Sequence, residues 1–184
     1  KDPGRAEALR AAFPDVTVTD TPGAAEGHVV AVKPGDVPAV CRALQGGEPV
    51  LSIAAGVTIA AMEAHLAPGT PVVRAMPNTP ALVGAGAAAI AGGSAATGET
   101  LDWAESILGA VGTVARVGEP LLDAVTGLSG SGPAYLFLVL EAMIDGGVLA
   151  GLPRPVAAQL ATQTLVGAGK LVAETGESPA DLRA

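Results

Sequence analysis

Aromatic side chains are almost missing: the 184 residues include two phenylalanines, one tyrosine and one tryptophan. A core built without them rests on Ala, Val and Leu, and such small side chains favour close helix packing in which each segment depends on many neighbours. Charge is also scarce, at 15% of residues, and it is negative, with a formal net charge of −8. That balance argues against a nucleic-acid surface or an anionic membrane face, and any anionic ligand must be met by a few locally placed basic residues. The single cysteine, Cys41, excludes a disulfide framework and a cysteine-rich metal site. It reads as a small buried residue on a helix, and so low a cysteine content fits a cytoplasmic protein.

Other signals are absent too. The longest apolar run, 133–140, is far short of the ~20 residues that a membrane span needs, and Glu141 and Asp145 interrupt its continuation. No signal peptide is visible, and Lys1 rather than methionine opens the chain, so a soluble piece of a longer protein is expected. There is no H-E-x-x-H, no Ser–His–Asp arrangement and no metal-ligand cluster, so no metal is expected. His28 and His65 read as surface or boundary residues. The nucleotide fingerprint G-x-G-x-x-G after a first strand is absent; Gly127, Gly130 and Gly132 do not follow a strand and do not replace it.

The remaining composition is ample for a folded core, since 49% of residues are hydrophobic. Short β-rich runs at 16–19, 29–32, 49–54 and 71–76 alternate with amphipathic segments at 5–13, 37–44 and 58–66. Two further strands, 87–90 and 113–117, flank a helix at 100–108, where Trp103 is expected to pack. Apolar runs without strict alternation indicate strands buried on both faces, and repeated strand–helix order is the pattern of a doubly wound α/β domain with a parallel sheet. From about Gly118 onward the pattern is helical only. A short helix or linker over 119–125 precedes two long helices, about 131–150 and 155–174. Ser131 is the expected cap of the first, with Pro133 in its first turn and Gly151 as its stop. The domain boundary is accordingly placed between 118 and 119. Both long helices are apolar on nearly every face, with five consecutive apolar residues at 136–140. Such helices must be covered all round, which predicts a homo-oligomer formed through the C-terminal helices, the alternative being burial under residues outside this stretch.

In an open α/β sheet, ligands bind outside the carboxyl ends of the strands. Three segments lie there: Ala31-Val32-Lys33-Pro34, Ser52-Ile53-Ala54-Ala55-Gly56 and Met76-Pro77-Asn78-Thr79-Pro80. Lys33 is the first charged residue after a buried strand, placed either to meet a cofactor or to reach solvent. Asn78 carries both a donor and an acceptor, which suit a ligand or a turn equally. Arg74, inside its strand, is expected to pair with a carboxylate at the domain boundary. The run Ser129-Gly130-Ser131-Gly132-Pro133 feeds a helix N-terminus, which reads either as an anion site or as a simple cap.

The ordered segments AVKPGDV, SIAAGVTI, VVRAMPNTPALVGAG, DAVTGLSGSGPAY, GLPRPVAAQLATQT and ETGESPADLR resemble pyrroline-5-carboxylate reductases over almost the whole chain. The resemblance implies a Rossmann-type domain, truncated at its first strand (1–118), followed by an all-α dimerisation and substrate domain, also incomplete (119–184). It implies hydride transfer from NADPH or NADH to the C=N bond of L-1-pyrroline-5-carboxylate, giving L-proline. It places Ala31, Val32, Lys33, Pro34, Ile53, Ala54, Ala55, Asn78 and Thr79 at the cofactor, and Glu119, Ser129 and Ser131 at the substrate; no catalytic acid is assigned. By the same comparison the glycine-rich loop is expected before Lys1 and a TSPGGTT-type segment after Arg183, so this stretch alone is expected to be inactive. Asp2 would accept from a ribose hydroxyl and favour NADH, whereas Arg5 would bind a 2′-phosphate; family habit favours NADPH. The alternatives are a related two-domain NADP-dependent reductase, or a non-catalytic dimerising remnant.

Overall fold

The computed structural model describes residues 3–44 and 46–184, and the chain divides into two compact units, 1–130 and 131–184. Residues 119–130, grouped by the sequence pattern with the helical part, make their contacts within the first unit.

The first unit opens with helix α1 (Pro3–Ala12) and continues with β1 (His28–Val30), α2 (Val37–Ala43), β2 (Val50–Ser52), α3 (Ile59–Glu63) and β3 (Val72–Met76). Strand β4 (Gly86–Gly92), helix α4 (Gly98–Gly109), strand β5 (Gly112–Arg116) and helix α5 (Leu122–Val125) follow. The five strands lie in the order β1-β2-β3-β4-β5. Strands β1, β2 and β3 are mutually parallel with His28, Val50 and Val72 in register, and β4 is parallel to β5. One step departs from the expected parallel sheet: β4 runs antiparallel to β3, with Arg74 opposite Ala91. The reason is the length of the link. A parallel crossover needs a dozen or more residues, whereas residues 77–85 hold only a 3₁₀ turn, closed at Gly84 by a left-handed φ of +73°.

Two cores sandwich the sheet. On one face, Val37 and Cys41 of α2, Ile59 and Met62 of α3 and Leu122 of α5 meet Val30, Val50, Val72, Ala89 and Ala91. On the other, Ala104 and Leu108 of α4 cover Leu51, Val73, Ala75 and Ile90, and Trp103 packs at the margin as expected. Helix α4 starts on a reciprocal cap in which Thr97 and Thr100 each satisfy the other's backbone N–H.

The strand expected at 16–19 does not form, and Val16 is largely exposed. A strand exists only where a neighbour takes its backbone hydrogen bonds. Strand β1 is the edge of the sheet, and among the described residues nothing pairs with its outer side.

The second unit contains α6 (Gly132–Leu149), α7 (Arg154–Thr175) and the short α8 (Pro179–Leu182). Helices α6 and α7 pack where Gly147 faces Ala157: a Cβ at Gly147 would lie 3.1 Å from that of Ala157. Ala157 and Ala161 are buried, but no residue of α6 is, and Leu136, Phe137, Leu138 and Val139 stand exposed. By length and composition alone the segment Glu119–Leu149, which contains an 18-residue stretch with a mean hydropathy of 1.4, is long and apolar enough to cross a membrane. The run 133–140 did not indicate this, because helical turns continue on both sides of it.

Candidate functional site

Parallel register brings the carboxyl ends of β1, β2 and β3 to one edge of the sheet, where Val30, Ser52 and Arg74 stand side by side. Ala31 to Lys33 leave β1 there as exposed chain, bent at Val32 and extended at Lys33, and exposed Pro34 opens the 3₁₀ turn that leads into α2. Lys33 is exposed, and Asp36 N–H donates to its carbonyl at 2.9 Å. After β2, Ile53 N–H donates to the Val30 carbonyl at 3.1 Å, and the buried Ser52 hydroxyl accepts Ala54 N–H at 3.3 Å. Ile53 is half-buried, Ala54 buried and Ala55 exposed, and Gly56 then turns the chain with φ +75°. Thr58 caps α3 by accepting Ala61 N–H at 3.2 Å.

At the end of β3, Asn78 is half-buried and both ends of its amide are engaged. Its Oδ1 accepts Ala87 N–H at 2.8 Å and its Nδ2 donates to the Ser129 carbonyl at 3.0 Å. Thr79, beside it, is exposed. Thus the structure brings Asn78, a candidate for the cofactor, into contact with the Ser129 backbone, a candidate for the substrate. Ser129 lies in a π-helical turn, Thr126–Gly130, and its hydroxyl donates to the Val125 carbonyl at 3.2 Å. Such single wide turns are often found at functional sites. The same turn borders an open, mostly apolar pocket of about 330 Å³ over β4 and β5, lined by Ala87, Ala89, Thr113, Val117, Val125 and Leu128 among others.

Glu119 has a different setting. Its Oε1 accepts Ile59 N–H at 2.7 Å and takes a hydrogen bond from Arg74 Nη1 at 3.1 Å. The carboxylate expected to pair with Arg74 is therefore Glu119, with Asp123 at 3.8 Å as a second, exposed partner.

Ser131 differs from its expected form. It has a right-handed helical backbone and makes no side-chain cap bond. Helical turns also run through 122–130, up to the residue before it, and α6 itself begins at Gly132. Ser131 belongs to the second unit. Asp2 lies outside the described residues, and Arg5 is on α1. The roles of Ala87 as a partner of Asn78, and of Met76 as the seat of Gly130, were not read from the sequence. One signal was available: Pro133, four residues after Ser129, signals a carbonyl without a helical donor.

Residues 119–184 match the family model described as pyrroline-5-carboxylate reductase dimerisation. A pyrroline-5-carboxylate reductase of Corynebacterium melassecola is 44% identical over 190 residues, covering 98% of this chain and 70% of that one. The structure of a pyrroline-5-carboxylate reductase from Coxiella burnetii superposes with a TM-score of 0.83 at 39% identity, covering 86% of this chain and 61% of that one. The Plasmodium falciparum pyrroline carboxylate reductase with NADP bound gives 0.76 at 30% identity, covering 84% and 64%. The chain spans about three fifths of the length of several curated relatives that it matches at up to 49% identity. Nearly full-length similarity to a relative of which it covers 70%, together with the matched dimerisation model, establishes that the chain belongs to the pyrroline-5-carboxylate reductase family.

Proposed function

We propose that this chain serves in a reductase that converts L-1-pyrroline-5-carboxylate to L-proline with NADPH or NADH. The observation that carries the reading is family membership along nearly the whole chain, including the three strand ends where a nicotinamide nucleotide is expected. The residues there fit such a ligand: exposed backbone at 31–34, small side chains at Ala54 and Ala55, and open space beside Gly56. Ala31, Val32, Lys33, Pro34, Ile53, Ala54, Ala55 and Thr79 would hold the dinucleotide, with Asn78 beside them engaged by the protein's own backbone, and the neighbour with NADP bound favours the phosphorylated form. When bound, the reduced nicotinamide supplies a hydride to the imine carbon, while one proton is added at the ring nitrogen.

On the substrate side, Ser129 would face the pyrroline ring, and Ser131 is the further candidate there. Glu119 acts mainly by holding Arg74 and the start of α3, since one carboxylate oxygen serves both. The chain's part in the chemistry is positioning: holding the imine carbon within about 3–3.5 Å of the hydride donor converts an encounter into a unimolecular step. The exposed apolar faces of α6 and α7 and the match to a dimerisation model support assembly of two or more copies through residues 119–184. A second copy also accounts for a helix as apolar as α6 without a membrane.

The test is loss of reduced-nicotinamide absorbance when the complete gene product meets L-1-pyrroline-5-carboxylate, with the 184-residue chain assayed alongside. Turnover by the complete protein is expected. Absence of turnover with both NADPH and NADH would overturn the reading.

A further inference from the structure

We propose that Asn78 is a positioning residue, which fixes the Thr126–Gly130 turn against the carboxyl end of β3 and so sets where Ser129 is presented to substrate. The inference rests on the reductase reading. It begins with a missing donor. In an α-helix the Ser129 carbonyl would accept from the backbone four residues on, and that residue is Pro133, which has no N–H. A carbonyl left unpaired in a half-buried setting is costly, so it needs another donor. Asn78 Nδ2 supplies one at 3.0 Å, from a strand end 51 residues away in sequence.

The orientation of the amide is not a free choice. Ala87 N–H can only donate and the Ser129 carbonyl can only accept, so Oδ1 must face Ala87 and Nδ2 must face Ser129. A second contact holds the same turn to the same strand end: a Cβ at Gly130 would lie 2.6 Å from Met76 Cε. The turn is thus seated on β3 at two adjacent places, one polar and one apolar. Both ends of the Asn78 amide are taken up by the protein, and its influence on the reaction passes through Ser129.

Asn78→Asp separates this role from a direct contact with cofactor. Aspartate keeps the acceptor for Ala87 N–H but sets a carboxylate against the Ser129 carbonyl. In the complete gene product, KM for L-1-pyrroline-5-carboxylate should rise about tenfold, while the NADPH dissociation constant, read by nicotinamide fluorescence, stays within about twofold. Amide hydrogen exchange at 126–132 should accelerate without cofactor or substrate present. Adding Pro133→Ala restores an N–H to position 133, and the double variant should recover slow exchange and part of the lost KM. Weaker NADPH binding with KM and exchange unchanged would make Asn78 a cofactor ligand and overturn the proposal. So would failure of Pro133→Ala to slow exchange in a variant that remains folded by thermal melt. If the parent enzyme reduces no pyrroline carboxylate, the reductase reading falls, while the exchange measurements still decide whether Asn78 anchors the turn.

Discussion

The guanidinium of Arg74 meets Glu119 Oε1 at 3.1 Å, and that same oxygen accepts the Ile59 N–H at 2.7 Å. One carboxylate thus ties β3, the start of α3 and the turn before α5. Arg74 is nearly buried, so losing Glu119 leaves a poorly solvated cation. Removing one partner of a fully buried pair costs about 3–5 kcal/mol. Here Asp123 stays at 3.8 Å and Glu119 is partly exposed, so Glu119→Ala is expected to cost about 2 kcal/mol in urea denaturation. Glu119→Gln, which keeps an acceptor for Ile59, should cost about half as much. In both variants the loss should appear in stability before it appears in KM for substrate.

Two glycines that both leave little room should respond oppositely to alanine. At Gly112 an added Cβ would overlap the Gly86 carbonyl, which is backbone of the adjacent strand and cannot yield alone. At Gly130 the obstruction is the tip of Met76, a flexible thioether that can move aside. Gly112→Ala should therefore cost ~2 kcal/mol or more through displaced strands. Gly130→Ala should lie within about 1 kcal/mol of neutral, because alanine's better helix propensity offsets the shift of Met76. Thermal melts of the two variants check the contrast.

Much of the fold was legible because the sheet is buried on both faces. Val50-Leu51-Ser52 and Val72-Val73 read as strands from local pattern alone, and so did the helices beside them, α2 with Pro38 in its first turn and α3 capped by Thr58. The misread parts depend on partners distant in sequence. Residues 16–19 have strand composition but no neighbour to pair with, and the direction of β4 is fixed by a short link that its composition does not reveal. At the site, the strand-end segments followed from position in an α/β fold. The Asn78 bridge and the π-turn did not, because both depend on an orphan carbonyl that a helical pattern conceals.

Cys41 offers a check on the first core. It is fully buried on α2, and burial pushes its thiol pKa up. A thiol that is harder to ionise in the folded state holds its proton more tightly there. Its contribution to stability is present below the ordinary thiol value and is lost as pH rises through the folded one. Unfolding should thus become easier in alkaline solution, and less so in Cys41→Ala. Dithiobis-nitrobenzoate should label the native protein slowly and the denatured protein stoichiometrically. Rapid labelling under native conditions would show that α2 does not pack as described.

The exposed apolar faces of the second unit carry the last prediction. Leu138 lies mid-way along α6, with 64% of its surface open, between Phe137 and Val139, which are similarly exposed. A residue of that kind on a helix with no buried positions has no role in the packing of its own chain, so changing it should leave the fold intact. If α6 is the face that meets a second copy, Leu138→Asp sets an unpaired carboxylate where water is excluded, and the association constant should fall by at least about a hundredfold. Sedimentation equilibrium of the complete gene product should show a dimer or larger assembly, converted by Leu138→Asp toward the monomer mass. Glu99→Lys, an exposed charge change at the start of α4, should leave the mass unchanged. Should Leu138→Asp remain fully assembled, α6 is not the interface, and the apolar surface of α7, with Leu160, Val166 and Leu171, becomes the place to look.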